Sequence, residues 1–379
     1  VDSAAQWLQM TWMFFYDKKK WTHPRIRSFL KAVPDNKLIL LDYYCDHTEI
    51  WRNTEKYYGN PYIWCYLGNF GGNTMIAGNL NDIDFKIKRL FKEGGDNVYG
   101  LGATLEGFDV NPLMYEFVFD QAWDYPVTTD QWITNWSMCR GGNQDANIIK
   151  AWRALHQKIY TEHATCGQSV LMNARPRLTG TKSWNTSPGI HYANNDLWQI
   201  WKELLKARNI NNSDFRFDVI NIGRQVLGNL FSEYRDQFTA CYNRKDTTGM
   251  REWSTRMDNL ARNCGATVSE KDYYEENARC ILTVWGQQDT QLNDYANRGW
   301  GGLTRSFYRE RWKRFTDGVI AAVSEDKPFD EDKFHQDITQ FEYNWTLQKD
   351  SFPIVSEEDP IQIADSLILK YDTYFTKAQ

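Results

Sequence analysis

The stretch Ile63-Trp64-Cys65-Tyr66-Leu67-Gly68-Asn69-Phe70-Gly71-Gly72-Asn73 reads as a buried strand running into a polar, glycine-rich turn. The apolar and aromatic run from Tyr62 to Leu67 gives way to Asn69, Gly71, Gly72 and Asn73. A β/α-barrel uses strand ends of this kind at its active face. Glycine lets backbone approach a ligand closely, and asparagine offers both a donor and an acceptor. The shape recurs further on. Val98-Tyr99-Gly100-Leu101-Gly102-Ala103-Thr104-Leu105-Glu106-Gly107 is a strand-like run that delivers one carboxylate, Glu106, at its carboxyl end.

Working outward, residues 1–123 alternate short apolar runs with amphipathic stretches. The spacing predicts strands over Ala5–Trp12, Leu38–Tyr44, Tyr62–Leu67 and Val98–Ala103, with helices over His23–Val33, Ile83–Glu93 and Leu113–Trp123. Pro24 and Pro112 fall at helix starts, where a missing N–H costs nothing. Alternation of strand and helix implies parallel strands joined by crossovers. The strands are fewer than the eight of a closed barrel. That leaves an open sheet or one half of a barrel.

From 124 to 379 the strand signal nearly vanishes. Apolar residues recur at helical spacing over 147–160, 196–208, 219–242, 248–264, 303–323, 330–346 and 361–375. Such stripes predict an all-α bundle. Asp359-Pro360 reads as an N-cap followed by the first residue of the last helix. The fold class is therefore α/β plus all-α, with domains at 1–123 and 124–379.

The chain has 379 residues, 42% hydrophobic and 25% charged, which is ordinary for a globular protein. A net charge of −5 supplies no basic field for nucleic acid or an anionic membrane. No apolar run approaches the ~18 residues of a membrane span. The start, Val1-Asp2-Ser3-Ala4-Ala5, lacks a Met and a basic segment, so the chain reads as processed or excised. Seven cysteines stand at wide, irregular intervals, which argues against a zinc site and for mostly buried thiols. The six histidines show no HExxH spacing, and GxSxG, P-loop and GxGxxG patterns are absent. Aromatic residues reach 15%. They suit stacking on sugar rings and equally suit packing in a large helical domain.

Glu106 is the first candidate for chemistry. Glycoside hydrolysis needs two carboxyl groups across the scissile bond, one protonating the leaving oxygen and one attacking or activating water. Asp42 also ends a strand and reads as a structural or supporting group in preference to one that orients a sugar hydroxyl. Trp12 and Tyr43 stand at strand ends, where they line a pocket or pack the core. A second polar cluster, Trp285-Gly286-Gln287-Gln288-Asp289-Thr290-Gln291-Leu292-Asn293-Asp294-Tyr295, suits either a sugar-contacting lid or a plain helix connection.

The strings Ile63-Trp64-Cys65, Asn69-Phe70-Gly71-Gly72-Asn73, Leu105-Glu106-Gly107, Leu282-Thr283-Val284-Trp285-Gly286 and Asp294-Tyr295-Ala296-Asn297 occur in that order. Together with Trp7-Leu8-Gln9-Met10-Thr11-Trp12, they resemble the α-N-acetylglucosaminidase family, family 89 of the glycoside hydrolases. The resemblance covers essentially the whole chain and only the later half of such a protein. It implies the second half of a (β/α)8 barrel followed by an all-helical C-terminal domain that contributes to the active-site wall. It implies retaining hydrolysis of terminal α-linked N-acetylglucosamine, without metal or organic cofactor, and a location that is exported in bacteria or lysosomal in animals. Glu106 falls on the family's nucleophile. Trp12, Tyr43, Trp285, Leu292 and Tyr295 fall on positions that line the sugar pocket. The family's acid/base Glu sits in an Asn-Glu pair, a dipeptide this sequence lacks, so the resemblance places that residue in an upstream half of the same protein. Gly68, Leu105 and Gly167-Gln168 depart from the family's pattern, and the loop after Trp285 is one residue longer. These departures bear on the edges of substrate recognition rather than on the reaction class. The rival reading is a non-catalytic glycan-binding or scaffold protein.

Overall fold

The computed structural model describes residues 2, 4–34, 37–73, 75–107, 111–123, 127–142, 144–181, 187–207, 211–266, 297–348 and 359–377. The chain divides into two compact units. One comprises residues 1–69, 77–132 and 160–164; the other comprises 70–76, 133–159 and 165–379.

The first unit is built on a parallel sheet of β1 (Trp7–Met10), β2 (Leu38–Asp42), β3 (Tyr62–Tyr66) and β5 (Val98–Ala103), in the order β1-β2-β3-β5. The register sets Trp7 beside Leu38, Leu40 beside Tyr62, and Ile63 beside Gly100. Central β2 and β3 are almost wholly buried, as the near-continuous apolar runs Leu38-Ile39-Leu40-Leu41 and Tyr62-Ile63-Trp64-Cys65-Tyr66 require. Of the outer strands, β1 is largely exposed and β5 largely half-buried. A bulge lies between β3 and β5, where Tyr62 pairs with Val98 and Ile63 with Gly100. Tyr99 is the extra residue. Gly100 takes φ +151°, a conformation that glycine tolerates. The inserted residue re-phases which side chains face which way from Gly100 onward.

Helices flank the strands: α1 (Trp12–Tyr16), α2 (His23–Leu30), α3 (Ile50–Asn53), α4 (Leu80–Glu93) and α5 (Pro112–Asp120). The Asn79 side chain caps α4 by accepting from the Asp82 N–H at 3.0 Å. Leu80, Ile83, Ile87 and Leu90 form the buried stripe of α4. Pro112 opens α5, which buries Leu113, Met114, Phe117 and Val118. A two-residue antiparallel ladder joins β4 (Gly78–Asn79) to β6 (Thr161–Glu162).

Two expectations need correction here. The first strand stops at Met10, and Trp12 begins a helix rather than ending a strand. The unbroken run Trp12-Met13-Phe14-Phe15-Tyr16 carries no period that would separate strand from helix. The helix α6 (Thr129–Gly141) also escaped the periodic reading, because its apolar positions form no strong stripe.

The second unit is helical: α7 (Ala146–Lys158), α8 (Asn194–Leu204), α9 (Ser213–Asn243), α10 (Thr247–Ala266), α11 (Arg309–Ser324), α12 (Glu331–Leu347) and α13 (Pro360–Lys377). Its spine is α9, which begins six residues before the apolar stripe because the Asn212 side chain accepts from the N–H groups of Asp214 and Phe215. A buried polar row crosses α9. Gln225 donates to Asn229 at 2.9 Å, and Asn229 donates to Asn194 at 3.0 Å and to Tyr192 at 3.2 Å. The Gln225 side-chain oxygen accepts from the Ile76 N–H at 3.0 Å. Elsewhere Glu342 lies between two guanidinium groups, Arg175 and Arg311, all three buried. Arg311 also donates to the Asn173 carbonyl at 2.8 Å. Cys45, Cys65 and Cys241 are buried thiols, and Cys139 is exposed. Among the described residues, no helix is long and apolar enough to cross a membrane.

Candidate active site

Parallel strands deliver their carboxyl ends to one side of a sheet, and in β/α architectures the chemistry sits there. Thr11 and Trp12 follow β1, Tyr43 follows β2, Leu67 to Asn69 follow β3, and Thr104 to Glu106 follow β5. Of the residues expected to carry function, this brings together Trp12, Tyr43 and Glu106. Trp285, Leu292 and Tyr295 lie outside the described residues.

The strand ends are stitched by side chains. The Thr11 hydroxyl donates to the Leu41 carbonyl at 3.0 Å and accepts from the Tyr57 phenol at 3.2 Å. The Thr104 hydroxyl donates to the Tyr43 carbonyl at 2.6 Å, while its N–H donates to the Tyr66 carbonyl at 3.0 Å. Asp42 closes β2 beneath this layer. It is fully buried, and its carboxylate accepts from the N–H groups of Ile50 at 3.3 Å and Trp51 at 2.9 Å. Burial outweighs those bonds and pushes the Asp42 carboxyl up from 3.8 to about 7. Asp42 is thus a structural group, as its sequence position suggested.

Tyr43 is buried, while Glu106 is exposed. The Tyr43 phenol donates to Glu106 Oε1 at 2.9 Å. Burial first, and then the Glu106 charge, push the phenol well above its ordinary value of 10.0, so it stays a donor at neutral pH. The partly exposed Trp12 ring packs against Tyr43, with centroids 5.0 Å apart. The result is a carboxylate held by one phenol, beside an indole face of the kind that suits the apolar face of a pyranose.

Sequence reasoning saw Asn69 only as a polar residue in a turn. Its side chain is buried and reaches the backbone on both sides of the Glu106 carbonyl. Oδ1 accepts from the Glu106 N–H at 3.0 Å, and Nδ2 donates to the Gly107 carbonyl at 2.9 Å. The turn is itself held by the Asp46 carboxylate, which accepts from the N–H groups of Leu67 at 3.1 Å and Gly68 at 3.2 Å. Gly68 sits at φ +71°, and a Cβ there would come within 2.4 Å of the Tyr66 ring. Thr104 and Asp46 went unnoticed too; a hydroxyl just past the last residue of a strand is the signal that marks Thr104.

A groove of about 560 Å³ between Phe14, Phe15, Trp21 and His23 is a separate feature, lined by none of Trp12, Tyr43, Asn69 or Glu106. Among the described residues no cluster of His, Cys, Asp and Glu has the shape of a metal site.

Both parts of the chain are similar to known proteins. Residues 1–125 match the Alpha-N-acetylglucosaminidase (NAGLU) tim-barrel domain, and residues 132–263 and 259–370 match the Alpha-N-acetylglucosaminidase (NAGLU) C-terminal domain. Human alpha-N-acetylglucosaminidase is 28% identical over 98% of this chain, which covers 53% of the human protein. A family 89 glycoside hydrolase from Clostridium perfringens, in complex with PUGNAc, shares the fold with a TM-score of 0.82 at 22% identity, over 97% of this chain and 45% of that one. The same bacterium's enzyme with its substrate GlcNAc-alpha-1,4-galactose gives a TM-score of 0.81 at 22% identity, over 97% and 44%. This chain spans about half the length of the curated relative it matches. With both of the family's domains matched in order along it, the chain belongs to the α-N-acetylglucosaminidase family of glycoside hydrolases.

Proposed function

We propose that this chain forms part of a retaining glycosidase that releases terminal α-linked N-acetylglucosamine from glycans. Glu106 is the nucleophile. Its carboxylate oxygen attacks the anomeric carbon, the glycosidic C–O bond breaks, and an acid/base Glu from outside these residues protonates the leaving oxygen. That same Glu then takes a proton from water, whose oxygen displaces Glu106 from the sugar. Trp12 and Tyr43 line the pocket around the reacting carboxylate, and Trp285, Leu292 and Tyr295 also contact the sugar. The upstream part of the protein completes the barrel against β1 and β5. Its compartment is extracytoplasmic in a bacterium and lysosomal in an animal.

The observation that carries this reading is the Tyr43–Glu106 hydrogen bond at the carboxyl ends of parallel strands. A phenol donating to a carboxylate fixes the direction in which its oxygens point, which a nucleophile needs. Family membership supplies the reaction class, and the substrate named for the Clostridium enzyme supplies the linkage. The test is Glu106→Ala in the full-length protein, assayed on an aryl α-N-acetylglucosaminide. Loss of turnover with retained sugar binding is expected; near-normal rates would remove Glu106 from the role. The 379-residue chain by itself, lacking the second carboxyl group, should show no turnover. Calorimetric binding of N-acetylglucosamine without turnover by the full-length protein would instead favour a glycan-binding role.

A further inference from the structure

We infer that Asn69 is the positioning residue for the Glu106 carboxylate, an assignment that rests on Glu106 being the nucleophile. Glu106 lies beyond the last residue of β5, past the end of its pairing with β3 at Ala103. In place of the ladder, the Asn69 amide supplies one acceptor and one donor. Oδ1 takes the Glu106 N–H and Nδ2 gives to the Gly107 carbonyl. The two bonds have opposite polarity, so only an amide satisfies both. A carboxylate would set oxygen against the Gly107 oxygen, and an aliphatic side chain would remove both of these bonds.

Asn69 can serve this purpose because its surroundings hold it in place. It is 1% exposed, and its own N–H donates to the Leu67 carbonyl at 2.8 Å. That carbonyl also accepts from the Tyr115 phenol at 3.0 Å. Asp46 holds the two N–H groups just before Asn69. The Glu106 side chain is thus aimed from two directions, its backbone by Asn69 and its carboxylate by Tyr43. Asn69 acts only through where it places Glu106. A nucleophile displaced by about 1 Å loses on the order of 10²-fold in rate.

The experiment uses the full-length protein with an aryl α-N-acetylglucosaminide. Asn69→Ala should lower kcat by about 10²-fold while KM stays within about 3-fold. Asn69→Asp keeps the size and the acceptor for the Glu106 N–H, so it should fold like the parent and lose an intermediate amount. The decisive comparison adds azide as an external nucleophile to Glu106→Ala. Azide attacks the anomeric carbon in place of the carboxylate, and the aryl oxygen leaves as before. Adding Asn69→Ala to that variant should leave the azide-supported rate unchanged, because there is no longer a carboxylate to position. A further fall in the azide rate would show a general structural role and overturn the inference. So would a wild-type kcat in Asn69→Ala while Glu106→Ala is inactive, and that pattern leaves the nucleophile assignment standing. An active Glu106→Ala removes the assignment itself, and with it the positioning role.

Discussion

The buried phenol of Tyr43 donates to the exposed carboxylate of Glu106 at 2.9 Å, although β3 lies between the strands that carry them. With the Thr104 hydroxyl donating to the Tyr43 carbonyl, this bond ties the ends of β2 and β5, and it has consequences for both groups. Burial contributes most to holding the Tyr43 proton, and the Glu106 charge comes second. Replacing Glu106 by Gln removes the charge and keeps the burial. Tyr43 should then ionise at a lower pH than in the parent, yet still above 10.0. The tyrosinate absorbance difference between each protein and its Tyr43→Phe counterpart isolates this one phenol. An unchanged titration would mean that the two groups do not meet.

Asp42 makes stability depend on pH. Its folded value of about 7 lies above the ordinary 3.8, so between those values the folded chain binds more protons than the unfolded one. The associated stability is complete below the lower value and is lost as pH rises through the upper one, a span worth on the order of 4 kcal/mol. Asp42→Asn has no such proton to lose. Urea unfolding of the two proteins across this range should show the parent weakening relative to the variant as pH rises. Parallel pH profiles would contradict the burial argument.

Glu342 should be costly to neutralise. It serves Arg175 and Arg311, and neither guanidinium is more than 7% exposed. Glu342→Gln retains the shape and leaves two buried positive charges facing an amide. Breaking a buried pair in this way costs about 3–5 kcal/mol. The urea midpoint should drop with little change in slope; a midpoint within error of the parent would show that the charges are solvated after all.

Much of this was legible in the residues. The central strands announced themselves as apolar runs, and Pro24 and Pro112 mark helix starts that the structure keeps. Glu106 stood out because a lone carboxylate follows a strand between glycines. A structural role for Asp42 was the preferred reading, but its complete burial shows only in the structure. The Asn69 clamp was not legible, since its partners are backbone atoms 37 and 38 residues away and backbone carries no sequence signature. Tyr43 was named as a pocket residue, but its bond to Glu106 depends on how β2, β3 and β5 line up. The bulge at Tyr99 helps set that alignment, and only Gly100 hints at it. Trp12 was misread because an unbroken apolar run erases the period that distinguishes helix from strand, and α6 was missed because its buried face mixes Trp132, Ile133 and Trp136 with the polar Ser137 and Arg140.

The outer rim of β1 carries a practical corollary. Trp7, Leu8 and Met10 are at least half exposed on a strand with no neighbour on that side among the described residues. A row of open amide groups flanked by large apolar side chains is a template onto which any extended segment can zip, including the same strand of another molecule. Handled alone at high concentration, this chain would be expected to form soluble clumps and then precipitate while its helices are still intact. Its working concentration would then be limited by strand-to-strand accretion well before unfolding.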